Sequence, residues 1–104
     1  MTWPPSWTSV DAVANEVAYE VVVAPSVRRA LTETLPAAVA FAAFEFIRGP
    51  LAQNPHRVGA ALRAPFVGLY RARRGEYRIR YAIDEEAHRV IVVDIDHRRD
   101  AYHS

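Results

Sequence analysis

The sequence predicts an α+β protein of βααβββ order, an antiparallel sheet with an αα-hairpin packed on one face. Three observations carry that prediction. A short β-branched run, AYEVVVA at residues 18–24, precedes two helical patterns parted by Pro36. Two alternating runs then follow around Gly75, as a β-hairpin requires. A last apolar run, HRVIVVDI at residues 88–95, stands before a polar tail.

The chain has 104 residues, 51% hydrophobic and 24% charged, which suits one folded domain and not a disordered tail. No apolar run approaches the roughly 20 residues that span a bilayer. Residues 1–16 lack the basic start and apolar block of a secretory signal. The absence of cysteine excludes disulfides and thiolate metal sites and suits a cytoplasmic protein. All 13 basic residues other than histidine are arginine. Each is a permanently charged, planar fork matched to phosphate. The charge is uneven. Residues 1–47 carry two arginines against five acids, net −3, and residues 48–104 carry eleven against seven, net +4.

Residues 1–16 share no periodicity with the rest, and Pro4 and Pro5 disfavour a regular element there. They are expected to be a loosely ordered extension, pinned by Trp3 and Trp7 or else lying ahead of a true start near Val17. The first strand ends at Pro25, which opens a helix with Val27, Ala30 and Leu31 on one face. Pro36 opens the second helix, with Ala40, Phe44, Ile47 and Leu51 in a stripe widened by Phe41 and Phe46. Gly49-Pro50 is expected to kink or end it. Residues 54–65 read as loop, with Asn54, Pro55 and Gly59 serving its geometry. Residues 69–73 and 77–83 form the hairpin. The run Val90 to Val93 makes the last strand central.

In the second hairpin strand Tyr77, Ile79, Tyr81 and Ile83 point one way, into the core. Arg78, Arg80, Ala82 and Asp84 point the other way. Arg71 and Arg73 likewise share a face of the preceding strand. Such an open face, with Arg74 beside it, is an anion-binding surface suited to a run of phosphates. The competing reading is a solvated face, with Arg78 paired to an acid such as Asp94 and Arg98 to Asp96 or Asp100. The tail DHRRDAY (residues 96–102) is expected beside the same face. It adds a titratable His97, fixed cations and the aromatic Tyr102. Those are the parts for metal-free RNA cleavage by attack of a 2′-OH. His56 and His103 fall in no metal-ligand spacing, so no metal and no cofactor are assigned.

The blocks GPLAQNPHRVGAALR (49–63), GLYRARRGEYRIRYAID (68–84) and IDHRRDAY (95–102) resemble, in order and spacing, the RelE/ParE superfamily of toxins from type II toxin–antitoxin systems, closer to RelE. The resemblance runs from about Tyr19 to Tyr102 and implies a RelE-like toxin domain over residues 17–104. It implies an mRNA endoribonuclease that acts in the ribosomal A site, leaves a 2′,3′-cyclic phosphate and is neutralised by a RelB-like antitoxin. By position, Arg78 matches the arginine that binds the reacting phosphate. Arg98 matches the one that stabilises the transition state, and Tyr102 matches the C-terminal tyrosine. Arg71 and Arg73 fall where the best-known members have lysines, and with Arg74 and Arg80 they are expected to contact RNA.

The sequence departs from the family in two ways. The lysine proposed as general base in some members has no counterpart, and arginine cannot replace it. His97 is the expected substitute, with Glu76 second. The tail is also shorter between Arg98 and Tyr102. Two other activities are compatible with the scaffold: a ParE-like inhibitor that binds DNA gyrase, or a degenerate toxin kept as corepressor of its antitoxin.

Overall fold

A computed structural model describes residues 7–10 and 18–97. Arg98 and Tyr102 lie outside the described residues. The strands are β1 (Thr8–Val10), β2 (Glu20–Val23), β3 (Ala60–Ala61), β4 (Tyr70–Arg74), β5 (Tyr77–Asp84) and β6 (Arg89–His97). The helices are α1 (Pro25–Arg29) and α2 (Ala37–Phe46), each running on into a wider π-helical segment, Ala30–Thr34 and Ile47–Leu51. The expected βααβββ order is present as β2, α1, α2, β4, β5, β6. Two short strands flank it. Thr8–Val10 lies within the segment expected to be irregular and pairs antiparallel with β2, while Ala60–Ala61 pairs antiparallel with β4.

The sheet order is β1-β2-β6-β5-β4-β3, so β6 is central, as its unbroken apolar run predicts. One pairing departs from the antiparallel expectation: β2 and β6 run parallel, Val21 beside Val90 and Val23 beside Val92. A parallel neighbour needs a long crossover. The helices and the β4–β5 hairpin supply it here.

The core lies between the sheet and the helices. Val21, Val23, Ile79, Tyr81, Val90 and Val92 meet Val27, Val39, Ala43, Phe46, Ile47 and Leu51. Of the expected stripe, Ile47 and Leu51 are buried, as is Phe46, but Ala40 and Phe44 are not. Val39, Ala43 and Phe46 face inward, and Phe41 is 69% exposed. From Ala37 to Phe46 the helix is apolar at every position but Glu45, so periodicity alone could not select the face. Pro50 does not end the helix. The backbone widens over Ile47–Leu51, and Asn54 N–H still donates to the Pro50 carbonyl at 3.0 Å. A wider turn tolerates the missing proline N–H. Among the described residues no helix is long and apolar enough to cross a membrane.

Candidate functional site

The face of the sheet away from the helices carries the candidate site. Direct cross-strand partners share a face, and β4 and β5 pair Arg71 with Arg80 and Arg73 with Arg78. Strands lie about 4.8 Å apart, so four guanidiniums form a two-by-two grid. The next strand sets Asp94 opposite Arg80 and Asp96 opposite Arg78. Four cations against two carboxylates leave the grid positive.

The four arginines are not equivalent. Arg80 donates to Asp94 Oδ2 through Nε at 3.1 Å and also through Nη2. That hydrogen bond, more than any other influence, raises the guanidinium pKa above its ordinary value. Arg71, Arg73 and Arg78 make no side-chain hydrogen bond or ion pair among the described residues. The ion pair considered for Arg78 with Asp94 thus belongs to Arg80. Like charges set directly opposite one another destabilise a sheet. Three uncommitted arginines in adjacent positions therefore suit an anion from outside the fold.

Arg74 stands apart from the grid. It lies on the helix side, its guanidinium 4.7 Å from the centre of the Phe46 ring. It donates to the carbonyls of Arg73 at 2.8 Å and Val58 at 3.2 Å. With Tyr77 it lines two hollows beside α2, one shared with Val39, Ala42 and Glu76, the other with Phe46, Gly49 and Pro50. Glu76, the second choice as base, lies with that groove.

His97 is also placed otherwise than expected. Arg80 pairs with Asp94 but Tyr81 pairs with Val92, so Val93 is an extra residue in β6. A one-residue bulge exchanges the faces of everything beyond it. Without it, Val90 and Val92 on the core side would carry Asp94 and Asp96 there too. With it, both aspartates turn to the arginines, and Ile95 and His97 turn to the helices. His97 pairs with Tyr77 and is buried to 5% exposure. The expected neighbourhood of His97 and Arg78 is thereby corrected: the histidine lies on the opposite face. Tyr77 and Tyr81 are buried, as their place beside Ile79 predicts.

A second polar cluster, which sequence reasoning missed, joins the start of β2, the loop after α2 and the β5–β6 turn. Glu85 pairs with His56 and accepts from Tyr19 Oη at 3.1 Å. Tyr19 stacks on His88, ring centres 3.8 Å apart. The hydrogen bond from His56 holds the Glu85 carboxyl below its ordinary 4.5. Nothing local in the sequence links residues 19, 56, 85 and 88, so this cluster had no readable signal. Among the described residues no group of three or more His, Asp or Glu side chains is placed to hold a metal ion.

The family model for the ParE toxin of type II toxin–antitoxin systems matches residues 21–102. Toxin RelE of Mycobacterium tuberculosis is 42% identical over 90 residues, covering 86% of this chain and 92% of that protein. Toxin RelG of the same organism is 44% identical over 68 residues, covering 65% and 78%. The crystal structure of the toxin–antitoxin complex RelBE2 from M. tuberculosis holds a chain with a TM-score of 0.75 and 41% identity. That match covers 78% of this chain and 99% of the other. A chain of the archaeal RelE–RelB complex from Pyrococcus horikoshii matches with a TM-score of 0.62 and 25% identity, covering 78% and 96%.

Proposed function

The chain belongs to the RelE/ParE family of type II toxin–antitoxin toxins, and from that premise we propose that it is a metal-independent endoribonuclease that cuts messenger RNA on the ribosome and halts translation. The observation that carries the reading is the arginine grid, with Arg71, Arg73 and Arg78 uncommitted among the described residues, the first two exposed and the third half-buried. In the proposed reaction a ribose 2′-oxygen attacks the adjacent phosphorus and the bond to the 5′-oxygen breaks. The products are a 2′,3′-cyclic phosphate and a 5′-hydroxyl, the leaving oxygen taking its proton from Tyr102 or from water. Arg78 and Arg73 stabilise the charge that grows on the phosphoryl oxygens. Arg71 holds the neighbouring backbone, and Arg80, fixed by Asp94, keeps the grid in place.

The 2′-OH must lose a proton, and His97 faces the other way. Asp96, exposed and opposite Arg78, is the carboxylate this face offers as acceptor. Arg98 and Tyr102 follow directly in the chain. On the strength of the resemblance they complete the site as transition-state cation and as stacking or proton-transferring group. The site of action is the cytoplasm, where ribosomes and messages are. The partner is a RelB-like antitoxin, a reading supported by structural neighbours solved as RelB–RelE complexes.

The ParE description of the matched family model favours one second reading, a toxin that acts by binding, as inhibitors of DNA gyrase do. One experiment separates the two: mapping 5′ ends of cellular messages after brief induction without antitoxin. Cuts inside translated codons, absent in Arg78→Ala and Arg98→Ala, support the nuclease. Arrested growth with intact messages and lost supercoiling supports the gyrase inhibitor.

A further inference from the structure

Between Glu45 and Glu76 the chain holds no acid, yet it holds six of the 13 arginines: Arg48, Arg57, Arg63, Arg71, Arg73 and Arg74. In the middle of this stretch a loop joins β3 to β4. Leu62 N–H donates to the Leu69 carbonyl at 2.8 Å and closes its base. Within it Phe66 N–H donates to the Arg63 carbonyl at 2.9 Å, and Leu69 N–H to the Phe66 carbonyl at 3.0 Å. Gly68 takes a φ of +96°, open to glycine and strained for other residues. Three backbone bonds give the loop a held shape.

What it holds out is apolar. Phe66 is 47% exposed and Val67 is 78% exposed. The turn thus keeps an aromatic and an aliphatic side chain side by side in water. In the sequence Arg63 and Arg71, both exposed, stand on either side of them. Arg71 also belongs to the grid and stands two residues on from Leu69, or about 7 Å along the extended chain.

The geometry points to this loop tip as a second RNA contact, one that deepens the nuclease reading and rests on it. An unpaired base stacks on Phe66 with Val67 at its edge, and Arg63 and Arg71 take the phosphates on either side. An aromatic set among arginines is the combination that holds unpaired nucleotides. Thirty residues without a carboxylate complement a polyanion. Through Arg71 the bound strand continues onto Arg73 and Arg78. The unpaired nucleotide comes either from the message or from ribosomal RNA.

The test is binding of the purified toxin to a 2′-O-methyl oligoribonucleotide, which cannot be cleaved, by fluorescence anisotropy at several salt concentrations. Phe66→Ala is expected to weaken binding roughly ten-fold with little change in salt dependence, and Phe66→Tyr to restore it. Arg63→Ala is expected to lower the salt slope by about 0.7, the share of one phosphate on a single strand. All three variants should melt with the parent, because the positions are exposed. Parent affinity in both Phe66→Ala and Arg63→Ala overturns the inference and leaves the nuclease reading standing. A Phe66→Ala variant that binds RNA normally but loses its antitoxin overturns it in favour of a protein contact. Failure of the parent to bind the oligoribonucleotide overturns the loop-tip contact, and the nuclease reading on the ribosome then stands or falls by the mapped 5′ ends. Photo-cross-linking from Val67→p-benzoylphenylalanine on ribosomes then assigns the source, a message adduct or a ribosomal RNA adduct each supporting the inference and an adduct to ribosomal protein alone opposing it.

Discussion

Arg80 and Asp94 face each other across β5 and β6 and are joined through two guanidinium nitrogens, while Arg78, two residues away on the same face, has no such partner among the described residues. The pair is about one-third exposed on each side, so it contributes about 0.5–1 kcal/mol, in the range of surface ion pairs. Arg80 is thereby a support, and Arg78 and Arg73 are available to ligand.

The first prediction follows from that division. Arg78→Ala and Arg73→Ala should abolish or sharply reduce message cleavage while leaving the urea midpoint unchanged or slightly raised, since each relieves a like-charged cross-strand pair. Arg80→Ala should lower the unfolding free energy by up to about 1 kcal/mol and reduce cleavage less. Asp96→Asn should lower the cleavage rate more than RNA affinity, as loss of a proton acceptor would. If Arg80→Ala proves the most damaging to cleavage with stability intact, the division of roles is wrong.

A second prediction concerns His97. Buried opposite Tyr77, it acts on packing, and its truncation should cost about 1–3 kcal/mol. His97→Ala should therefore lower the melting temperature, and the fraction that stays folded should cut RNA at near the parent rate. The pH–rate profile of the parent should show no inflection that this substitution removes. An inflection in the parent profile that vanishes in His97→Gln would return the histidine to the chemistry.

The order of elements was legible because alternation and proline punctuation are local signals. The faces of β5 were legible for the same reason. Three things were not. The β2–β6 pairing joins residues far apart in the chain and leaves no local mark. The inward side of α2 was hidden by a helix apolar nearly all round. The bulge at Val93 sits within Val90–Val93, four apolar residues whose side-chain direction no pattern reveals. That single extra residue decides which of Asp94, Asp96 and His97 meets the arginines. The Arg80–Asp94 pair and the true place of His97 were therefore beyond a reading that placed Arg78 and Arg80 correctly.

The third prediction tests the loop that carries β3. A Cβ on Gly59 would stand 2.7 Å from the Arg71 carbonyl oxygen and closer still to Tyr81 Oη. That hydroxyl donates to the Pro55 carbonyl at 2.6 Å. Gly59→Ala must push the loop off the tyrosine, and overpacking of this kind costs about 1–3 kcal/mol. Tyr81→Phe removes the donor and leaves a carbonyl unpaired, for about 1 kcal/mol. Both losses should appear in urea unfolding. They should be less than additive in the double variant, because the two changes share one contact.

The last prediction concerns pH and is read at both ends of the scale. Glu85 has a folded pKa below its ordinary 4.5, chiefly through the hydrogen bond from His56 and further through Tyr19. A depressed carboxyl contributes stability that is complete above the unfolded value and is lost as pH falls through the folded one. The parent should therefore lose stability below about pH 4.5, and Glu85→Gln should flatten that acid limb while lowering stability at neutral pH. Burial pushes Tyr81 the other way, up to about 12 from 10.0. A raised group's contribution is complete below its unfolded value and lost as pH rises through its folded one. The unfolded chain then ionises first, and stability should fall between pH 10 and about 12, a limb that Tyr81→Phe should shorten. Thermal melts from pH 3 to 11 measure both limbs. An acid limb unchanged in Glu85→Gln would mean that the contacts joining β2, the loop and the β5–β6 turn carry no net stability.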